Sequence, residues 1–326
     1  AIVGGKVVLG VGIENTRTSL GALNGTQHPI LWSEGDKIAV NGVASSAVDA
    51  KYAGTSYAQF EVAGVTAPYS ILYPAEILGA DGNITVATEQ AYTANSFASG
   101  SAVMVGYAEA NPVTLRNLYS FVKVTIAKGD DVALKSVTLT ALGGEAISGT
   151  FAVDYKAATI APLSGKDLIR VSSADGIPYV DGKASVIIAV PAGEYAKGFS
   201  VKVVDAAGKA MEKKAFTAQG IAVPAGVLLN MPEFTYTGVA QSVISVTNAA
   251  ELQAALAQFQ PEVVPEVLPH IVLEADIDLA GVELTPAADF YGVFDGQGYT
   301  IKNWNTAHGL FTANHGTVKN IVIDST

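Results

Sequence analysis

The sequence predicts an all-β protein in which two consecutive sandwich or barrel domains are followed by the first turns of a stacked β-coil. Up to residue 237, short runs of apolar residues alternate with turn formers, and no convincing long helix separates them. After residue 238 the pattern changes to one short helix and then to β-runs interrupted by Gly and Asn corners. We therefore expect domains at 1–111, 112–238 and 239–326.

The first predicted domain contains six strand-like runs. Turn pairs such as Asn41-Gly42 and Asp81-Gly82 separate them, and both residue types of such pairs tolerate the left-handed backbone of a tight hairpin. The runs are Val7–Ile13, Lys37–Val40, Ala58–Val62, Tyr69–Tyr73, Asn83–Val86 and Ala102–Val105. Strands at this spacing favour a sandwich or a barrel.

The second predicted domain repeats this pattern. Its strand-like runs are Phe121–Ile126, Lys135–Thr140, Ser185–Val190 and Phe199–Val204. The peptide Ala-Val-Pro-Ala-Gly occurs at 189–193 and again at 222–226. Proline cannot donate to a strand ladder, so each copy is expected to end a strand, and 205–208 is expected to form a hairpin tip.

The third segment begins with the one good helical pattern, Ser245–Phe259. Asn248 can cap this helix, Glu251 follows three residues later, and prolines from Pro261 onward prevent its continuation. We expect a strand over Ile271–Leu279 to lead from it into the coil.

Two further runs, Tyr299–Trp304 and Thr317–Ile323, read as turns of that coil. Each turn needs a stacked neighbour to cover its apolar face. We therefore expect the chain to be a fragment whose coil continues beyond Thr326, with the helix covering the coil's open end.

Composition excludes several classes of function. Apolar residues make up 49% of the 326 residues and charged residues only 15%, which argues against disorder. The formal charge of −11 would repel phosphate backbones and anionic membrane surfaces, so nucleic acid is not an expected partner. The chain has no cysteine, and Pro and Gly interrupt every apolar run before it could span a bilayer.

Residues of about 20 to 237 resemble the fimbrillin family of Bacteroides-type surface pilins. The segments that carry this resemblance follow one another in the expected order: WSEGDKIAV at 32–40, YSILYP at 69–74, LYSFVKV at 118–124, IAVPAGEY at 188–195 and VVDAAG at 203–208. The resemblance implies two tandem β-sandwich domains of transthyretin-like type. It also implies export to the bacterial cell surface, either to the outer membrane or to a fimbrium, with a membrane link only through a removed N-terminal anchor.

Residues of about 244 to 326 resemble the start of the Gly-Leu-Phe-type repeat coils of bacterial surface adhesins. The carrying motifs are FDGQGYTI at 294–301 and GLFTANHGTVKNI at 309–321. The coil occupies the place where a shaft pilin would carry its polymerising C-terminal strand. Together the two resemblances imply a non-enzymatic adhesin or a fimbrial tip or accessory subunit. Its sandwiches would serve as a stalk, its coil would present the binding surface, and its partners would be other pilus subunits or host protein or glycan receptors.

The alternative is a glycan-binding or glycan-cleaving β-helix protein whose groove lies on further turns. Cleavage would need two carboxylates facing one sugar, one of them with a raised pKa. The available carboxylates are Asp276, Asp278, Asp295 and Asp324. The simpler interpretation is that Asp276 and Asp278 point outward from a strand and that Asp295 serves an Asp-Gly turn. The sequence predicts no catalytic residue, no metal site and no cofactor.

Two residues are candidate sites. In the resembled family a protease cuts after an Arg near the N-terminus, the leading strand leaves, and a neighbour's strand replaces it; here Arg17 follows the strand Val7–Ile13. The alternative is that Arg17 is solvated and Val7–Ile13 is a permanent strand. Trp304 is the candidate ligand contact, because alternation from the inward Ile301 places Trp304 on the outer side and Tyr299 in the core.

Overall fold

The computed structural model describes residues 2–3, 5–14, 30–238, 242–263, 269–304 and 308–325. Contacts divide the chain into two compact units. The N-terminal unit comprises Ala1–Ala207 and Met211–Gly238, and the C-terminal unit comprises Gly208–Ala210 and Val239–Thr326. Strands dominate both units, and the described part contains a single α-helix, so the predicted all-β class is confirmed. No helix of the described part has both the length and the apolar character needed to cross a membrane.

The N-terminal unit is built from short strands joined by turns. Those that precede residue 118 are β1 Ile2–Val3, β2 Lys6–Ile13, β3 Ala39–Val40, β4 Val43–Ala44, β5 Tyr57–Ala63, β6 Tyr69–Tyr73, β7 Ile84–Val86, β8 Glu89–Ala91, β9 Met104–Ala108 and β10 Val113–Asn117. The later ones are β11 Tyr119–Ala127, β12 Leu134–Ala141, β13 Ser148–Asp154, β14 Thr159–Lys166, β15 Leu168–Ile177, β16 Lys183–Pro191, β17 Gly193–Tyr195, β18 Gly198–Asp205, β19 Ala210–Phe216, β20 Ile221–Val223, β21 Leu228–Asn230 and β22 Phe234–Thr235. Two 3-10 helices lie at Ala50–Tyr52 and Ala75–Ile77.

Strand β2 belongs to the eight-stranded sheet and lies near one end of its strand order. It pairs antiparallel with β5 along one edge, while β10 pairs with it in parallel on the other. Its alternate residues Leu9, Val11 and Ile13 are buried, as period-two alternation requires of a strand with one face on a core. Trp32 packs edge-to-face against Phe60, with ring centroids 5.0 Å apart, so the predicted family-motif tryptophan is a core residue.

A second apolar cluster lies between the sheet of β11 and β16 and the sheet of β12, β15 and β18. β11 pairs with β16 over its full length, and its alternate residues Val122, Val124 and Ile126 are buried in this cluster. The first Ala-Val-Pro-Ala-Gly copy ends β16 at Pro191, and the second ends β20 at Val223. These are the strand ends that the prolines predict.

Strands from before residue 111 pair with strands that follow it. β7 joins β13, and β8 joins β15 in parallel. The buried Gln90 side chain continues this connection, because its amide donates to the Ala189 carbonyl oxygen at 2.9 Å and accepts from the Ala189 amide at 3.1 Å. The sequence does not reveal these pairings between strands on either side of residue 111. The domain boundary at 111/112 remains a prediction.

The C-terminal unit combines one helix, α1 Ala249–Leu256, with short parallel strands. The Asn248 side chain accepts a hydrogen bond from the Glu251 amide at 3.0 Å, so the predicted N-cap is confirmed, and the helix ends earlier than the sequence pattern. The strands are β23 Ser242–Val246, β24 Pro269–Leu273, β25 Ile277–Asp278, β26 Ala287–Phe290, β27 Val293–Asp295, β28 Thr300–Lys302, β29 Phe311–Asn314, β30 Thr317–Lys319 and β31 Val322–Ile323.

These strands form three parallel sheets, β23-β24-β27-β30, β25-β28-β31 and β26-β29. From β24 onward, partner residues lie 22 to 24 positions apart along the chain: Thr300 pairs with Val322, His270 with Val293, and Ile277 with Ile301. One passage of the chain thus visits all three sheets before returning to the first one.

Three of the strands predicted for this segment are shorter than expected or divided. Ile271–Leu279 breaks at 274–276 into β24 and β25, which belong to different sheets. The run from Thr317 breaks at Asn320, and β28 ends before Asn303; both asparagines have positive φ, 53° and 54°. Left-handed residues turn the chain, so period-two alternation cannot be continued through them.

Aromatic rings fill the interior of the C-terminal unit. Phe290 is fully buried, stacked on Phe311 at 4.2 Å between centroids and tilted against Phe259 at 4.9 Å. Gly292 and Gly316 occupy equivalent corners, 24 positions apart. A Cβ on Gly292 would run into the Pro269 carbonyl oxygen, and one on Gly316 into that of Gly292.

Candidate functional site

The outer face formed by β25 and β28 carries a connected set of charged side chains. Lys302 pairs in register with Asp278, and its Nζ lies 2.8 Å from Asp276 Oδ2. Asp276 Oδ1 also accepts a hydrogen bond from the Thr300 amide at 2.9 Å. The prediction that Asp276 and Asp278 point outward agrees with their exposure.

These contacts shift the pKa values of the charged groups. The hydrogen bond from Lys302, followed by that from the Thr300 amide, lowers the pKa of Asp276 below its ordinary value. Hydrogen bonds from the Asn303 side chain, then from the Ala280 amide, lower the pKa of Asp278. In turn, the hydrogen bond to Asp276 raises the pKa of Lys302. All three groups therefore favour their charged forms, which suits a structural ion pair better than a general acid.

We expect acid to weaken the C-terminal unit through these two aspartates. Their folded pKa values are lower than the unfolded ones, so they stabilise the fold above a pH of about 4, and this contribution disappears as the pH falls through the folded values. Urea midpoints at pH 6 and pH 3, followed by Trp304 fluorescence in a Trp32→Phe background, should differ less in the Asp276→Asn/Asp278→Asn variant than in its parent. Equal differences in both proteins would contradict this expectation.

Trp304 follows directly after this charged face. Its amide donates to the Asp324 carbonyl oxygen at 3.0 Å, and its side chain is half-buried and packs against the apolar core of the unit. The expected contrast between an outward Trp304 and a core Tyr299 is not seen, since both side chains are half-buried. The left-handed Asn303 explains the difference, because it interrupts the alternation on which the expectation depended.

A groove of about 800 Å³ lies next to the charged outer face. The loop Leu279–Glu283 forms one wall, and the other is formed by Asn303 and Ser325. These two residues are the chain neighbours of Trp304 and Asp324, which share a backbone hydrogen bond. The Asn303 amide group donates to Asp278 Oδ1 at 2.6 Å, which fixes that wall. The groove is polar and of the size that small ligands occupy, and Trp304 follows its lining residue Asn303 in the chain.

A second aromatic group lies at another corner of the C-terminal unit. Tyr291 and His315, 24 positions apart, stack with centroids 4.7 Å apart. His315 Nε2 lies 3.9 Å from Asp289 Oδ1. Only the pairing of strands about 24 positions apart brings Tyr291 and His315 together.

Asp295 makes more polar contacts than the sequence predicts. It is 4% exposed, and its Oδ1 accepts from the Gln297 amide at 3.1 Å, as expected of an Asp-Gly turn. The same oxygen accepts from the Asn320 side chain at 3.1 Å, and Oδ2 lies 3.4 Å from Lys319 Nζ and 3.9 Å from His270 Nε2. Asp295 therefore connects three neighbouring strands of one sheet, because His270, Asp295 and Lys319 belong to β24, β27 and β30.

The candidate carboxylates lie in different surroundings. Asp276 and Asp278 are exposed on one face, whereas Asp295 is buried among donors. Within the described ranges, no group of three or more His, Asp or Glu side chains is arranged to hold a metal ion.

The candidate processing residue Arg17 lies outside the described residues. The strand before it, β2, is in place between β5 and β10, with Leu9 and Val11 fully buried. Both interpretations of this strand stay open: it is permanent, or it leaves after cleavage.

No known protein family matches the chain, and no curated protein matches it either. Among solved structures, it is similar to two candidate cell-adhesion proteins. The one from Bacteroides ovatus is 11% identical with a TM-score of 0.44, and the match covers 71% of this chain and 94% of that one. The one from Bacteroides uniformis is 14% identical with a TM-score of 0.41, covering 72% and 95%.

The tip fimbrial protein Mfa3 of Porphyromonas gingivalis, in a C-terminally truncated form, is 10% identical with a TM-score of 0.29, and the match covers 68% of this chain and 84% of that one. Adhesion and fimbrial proteins are also the class that the sequence motifs resemble.

Proposed function

We propose that this chain is a non-enzymatic adhesin or a fimbrial tip or accessory subunit at the bacterial cell surface. In this proposal the N-terminal strands form two tandem transthyretin-like sandwiches that serve as a stalk. The C-terminal unit is the beginning of a β-helix that presents the binding surface. Other pilus subunits and host protein or glycan receptors would be its partners.

The observation that carries the proposal is the spacing of the parallel pairs in the C-terminal unit. Partners 22 to 24 positions apart on three sheets support the proposal of stacked β-helix turns. Such stacking repeats the same outward positions from turn to turn. It therefore builds an extended surface for recognition, as repeat proteins do.

The state of the carboxylates supports binding over catalysis. A glycosidase acid needs a raised pKa, whereas the pKa values of Asp276 and Asp278 are lowered. The groove has polar walls, and its lining residue Asn303 is followed in the chain by Trp304, whose indole is half-buried. Aromatic faces with nearby hydrogen-bonding groups suit the ring faces and hydroxyls of a glycan. Trp304 is the proposed contact.

The test is an array of immobilised host and microbial glycans probed with the intact chain. We expect Trp304→Ala to weaken binding to any positive glycan by about thirtyfold, which corresponds to about 2 kcal/mol for a buried aromatic contact. Trp304→Phe should retain part of the affinity, because a smaller ring still stacks.

Urea unfolding of both Trp304 variants, monitored by far-UV circular dichroism, controls for loss of fold. Undiminished binding by a folded Trp304→Ala variant would remove this residue from the proposed site. Release of sugar from the array would contradict the non-enzymatic function.

A further inference from the structure

Two adjoining cavities in the N-terminal unit differ in chemistry. One has a volume of about 460 Å³ and is bordered by acidic side chains, and the other, of about 340 Å³, is mainly apolar. Their walls share Ile77, Ser99 and Gly100. Each volume lies at or above the lower end of the range typical of ligand pockets, and together they form one composite site.

The acidic cavity contains the Asp36 carboxylate, which two hydrogen bonds hold in place. Asp36 Oδ1 accepts from the Tyr73 hydroxyl at 2.9 Å, and Oδ2 accepts from the Ser33 amide at 2.8 Å. Tyr73 packs edge-to-face on the buried Trp32, with centroids 5.4 Å apart, so the core of the unit fixes its position. Burial raises the pKa of Asp36 above its ordinary value, although both hydrogen bonds oppose the rise. A poorly solvated carboxylate of this kind gains from an approaching cation.

Two more carboxylates, Glu34 and Glu76, line the same cavity, and Lys37 is the only cation among its lining residues. The cavity is therefore complementary to a positively charged group. No group of three or more acidic or histidine side chains arranged for a metal ion occurs in the described ranges, so an organic cation fits this cavity better than a metal does.

The apolar cavity has firmly placed walls. Val86 belongs to β7, which pairs with β13, and Gln90 belongs to β8, which is fixed by β15 and by its two hydrogen bonds to Ala189. Ala98 and Val103 complete an aliphatic lining, and both are buried. The space suits one aliphatic side chain.

We propose that this composite site binds an extended peptide segment of a partner protein in which an aliphatic residue and a Lys or Arg lie two positions apart. In an extended chain, residues i and i+2 point to the same side, about 7 Å apart. Because the two cavities share wall residues, one face of a strand is the arrangement proposed to reach both. The net charge of −11 further favours a basic segment. This inference concerns a surface distinct from the groove that Asn303 lines and does not depend on glycan binding.

The test is titration of the 15N-labelled chain with the peptide acetyl-Gly-Leu-Gly-Lys-Gly-amide, followed by the backbone amide signals of Ser99 and Gly100. We expect saturable shifts that weaken as salt rises from 50 to 500 mM. The same peptide with Glu in place of Lys, and the one with Ser in place of Leu, should each bind at least tenfold more weakly. n-Hexylammonium chloride serves as the small-amine probe.

Three variants locate the site. Asp36→Asn should reduce peptide affinity about fivefold. Ala91→Leu, which fills the apolar cavity from the exposed edge of β8, should reduce it about tenfold. Glu194→Gln makes the same charge change as a control at an exposed position on β17 and should have no effect. Comparison of amide spectra shows that each variant is folded, and Glu76→Gln replaces Asp36→Asn if that variant unfolds.

Several outcomes would overturn the proposal. They are the absence of shifts with the Leu-Gly-Lys peptide, equal affinity for the Glu peptide, and an equal loss of affinity in Glu194→Gln. Binding of hexylammonium as tight as that of the peptide would overturn the peptide as the occupant.

Discussion

Replacing Asp295 by alanine is expected to destabilise the C-terminal unit by about 3–5 kcal/mol, because the change removes a buried acceptor that several partly buried donors share. Asp295 is 4% exposed and accepts from the Gln297 amide and the Asn320 side chain, each at 3.1 Å. Lys319 Nζ, 3.4 Å away, would lose its counter-charge. Urea unfolding followed by Trp304 fluorescence in the Trp32→Phe background measures the effect.

Asp295→Asn is the matched control for this substitution. An asparagine keeps one oxygen acceptor and nearly the same volume, so it should cost clearly less than alanine while removing the charge that faces Lys319 and His270. Asp278→Ala, on the exposed outer face, should cost less than either. If the exposed and buried aspartates have the same effect, Asp295 is not the polar centre of the sheet.

The second large effect is expected for Phe290→Ala, at about 3–5 kcal/mol. The Phe290 ring is fully buried between Phe311 and Phe259, so its removal takes apolar surface from the core and leaves a cavity. The same unfolding assay reports the change. Phe290→Leu should cost less, because it fills part of that cavity.

A small effect of Phe290→Ala would mean that the neighbouring rings collapse into the space. Phe311→Ala distinguishes this outcome, because Phe311 is only half-buried and should lose less than Phe290. The order Phe290→Ala, then Phe311→Ala, then Phe290→Leu is the expected ranking.

Local signals in the sequence predict local structure well. β6 has the bounds of the predicted strand-like run, Tyr69–Tyr73, and the cap at Asn248 is where the helix begins. Asn41-Gly42 forms the turn between β3 and β4, with φ angles of 48° and 84°. These features depend on neighbours in the chain, which a sequence displays directly.

Long-range pairings leave no such signal. β8 is only three residues long and joins β15, about eighty positions away, in parallel. From the sequence, the polar side chain of Gln90 would be expected to be exposed. It is instead buried, where it forms two hydrogen bonds with Ala189. Alternation also fails to predict which side chains are buried after a residue other than glycine that has a left-handed backbone. Asn303 is such a residue, and it changes the placement of Trp304.

The candidate sites also contain some features that local sequence predicts and others that depend on long-range pairing. The exposure of Asp276 and Asp278 follows from alternation within one strand. The grouping of Asp295 with His270 and Lys319 requires three turns to be stacked in register. A tryptophan is visible in a sequence, but the groove that its chain neighbour lines is made by residues more than twenty positions apart, Leu279 and Asn303.

The glycine corners have a consequence for how such a unit can vary. Gly292 lies against the backbone of Pro269, and Gly316 lies against that of Gly292, so each corner admits only a residue without a side chain. Loops between corners have no such limit and can lengthen independently. Because the glycine corner recurs after 24 positions, from Gly292 to Gly316, duplicating residues 293–316 as one block would add a turn without requiring any new type of corner contact. Whole-block duplication is therefore the simplest route by which the C-terminal unit could change length.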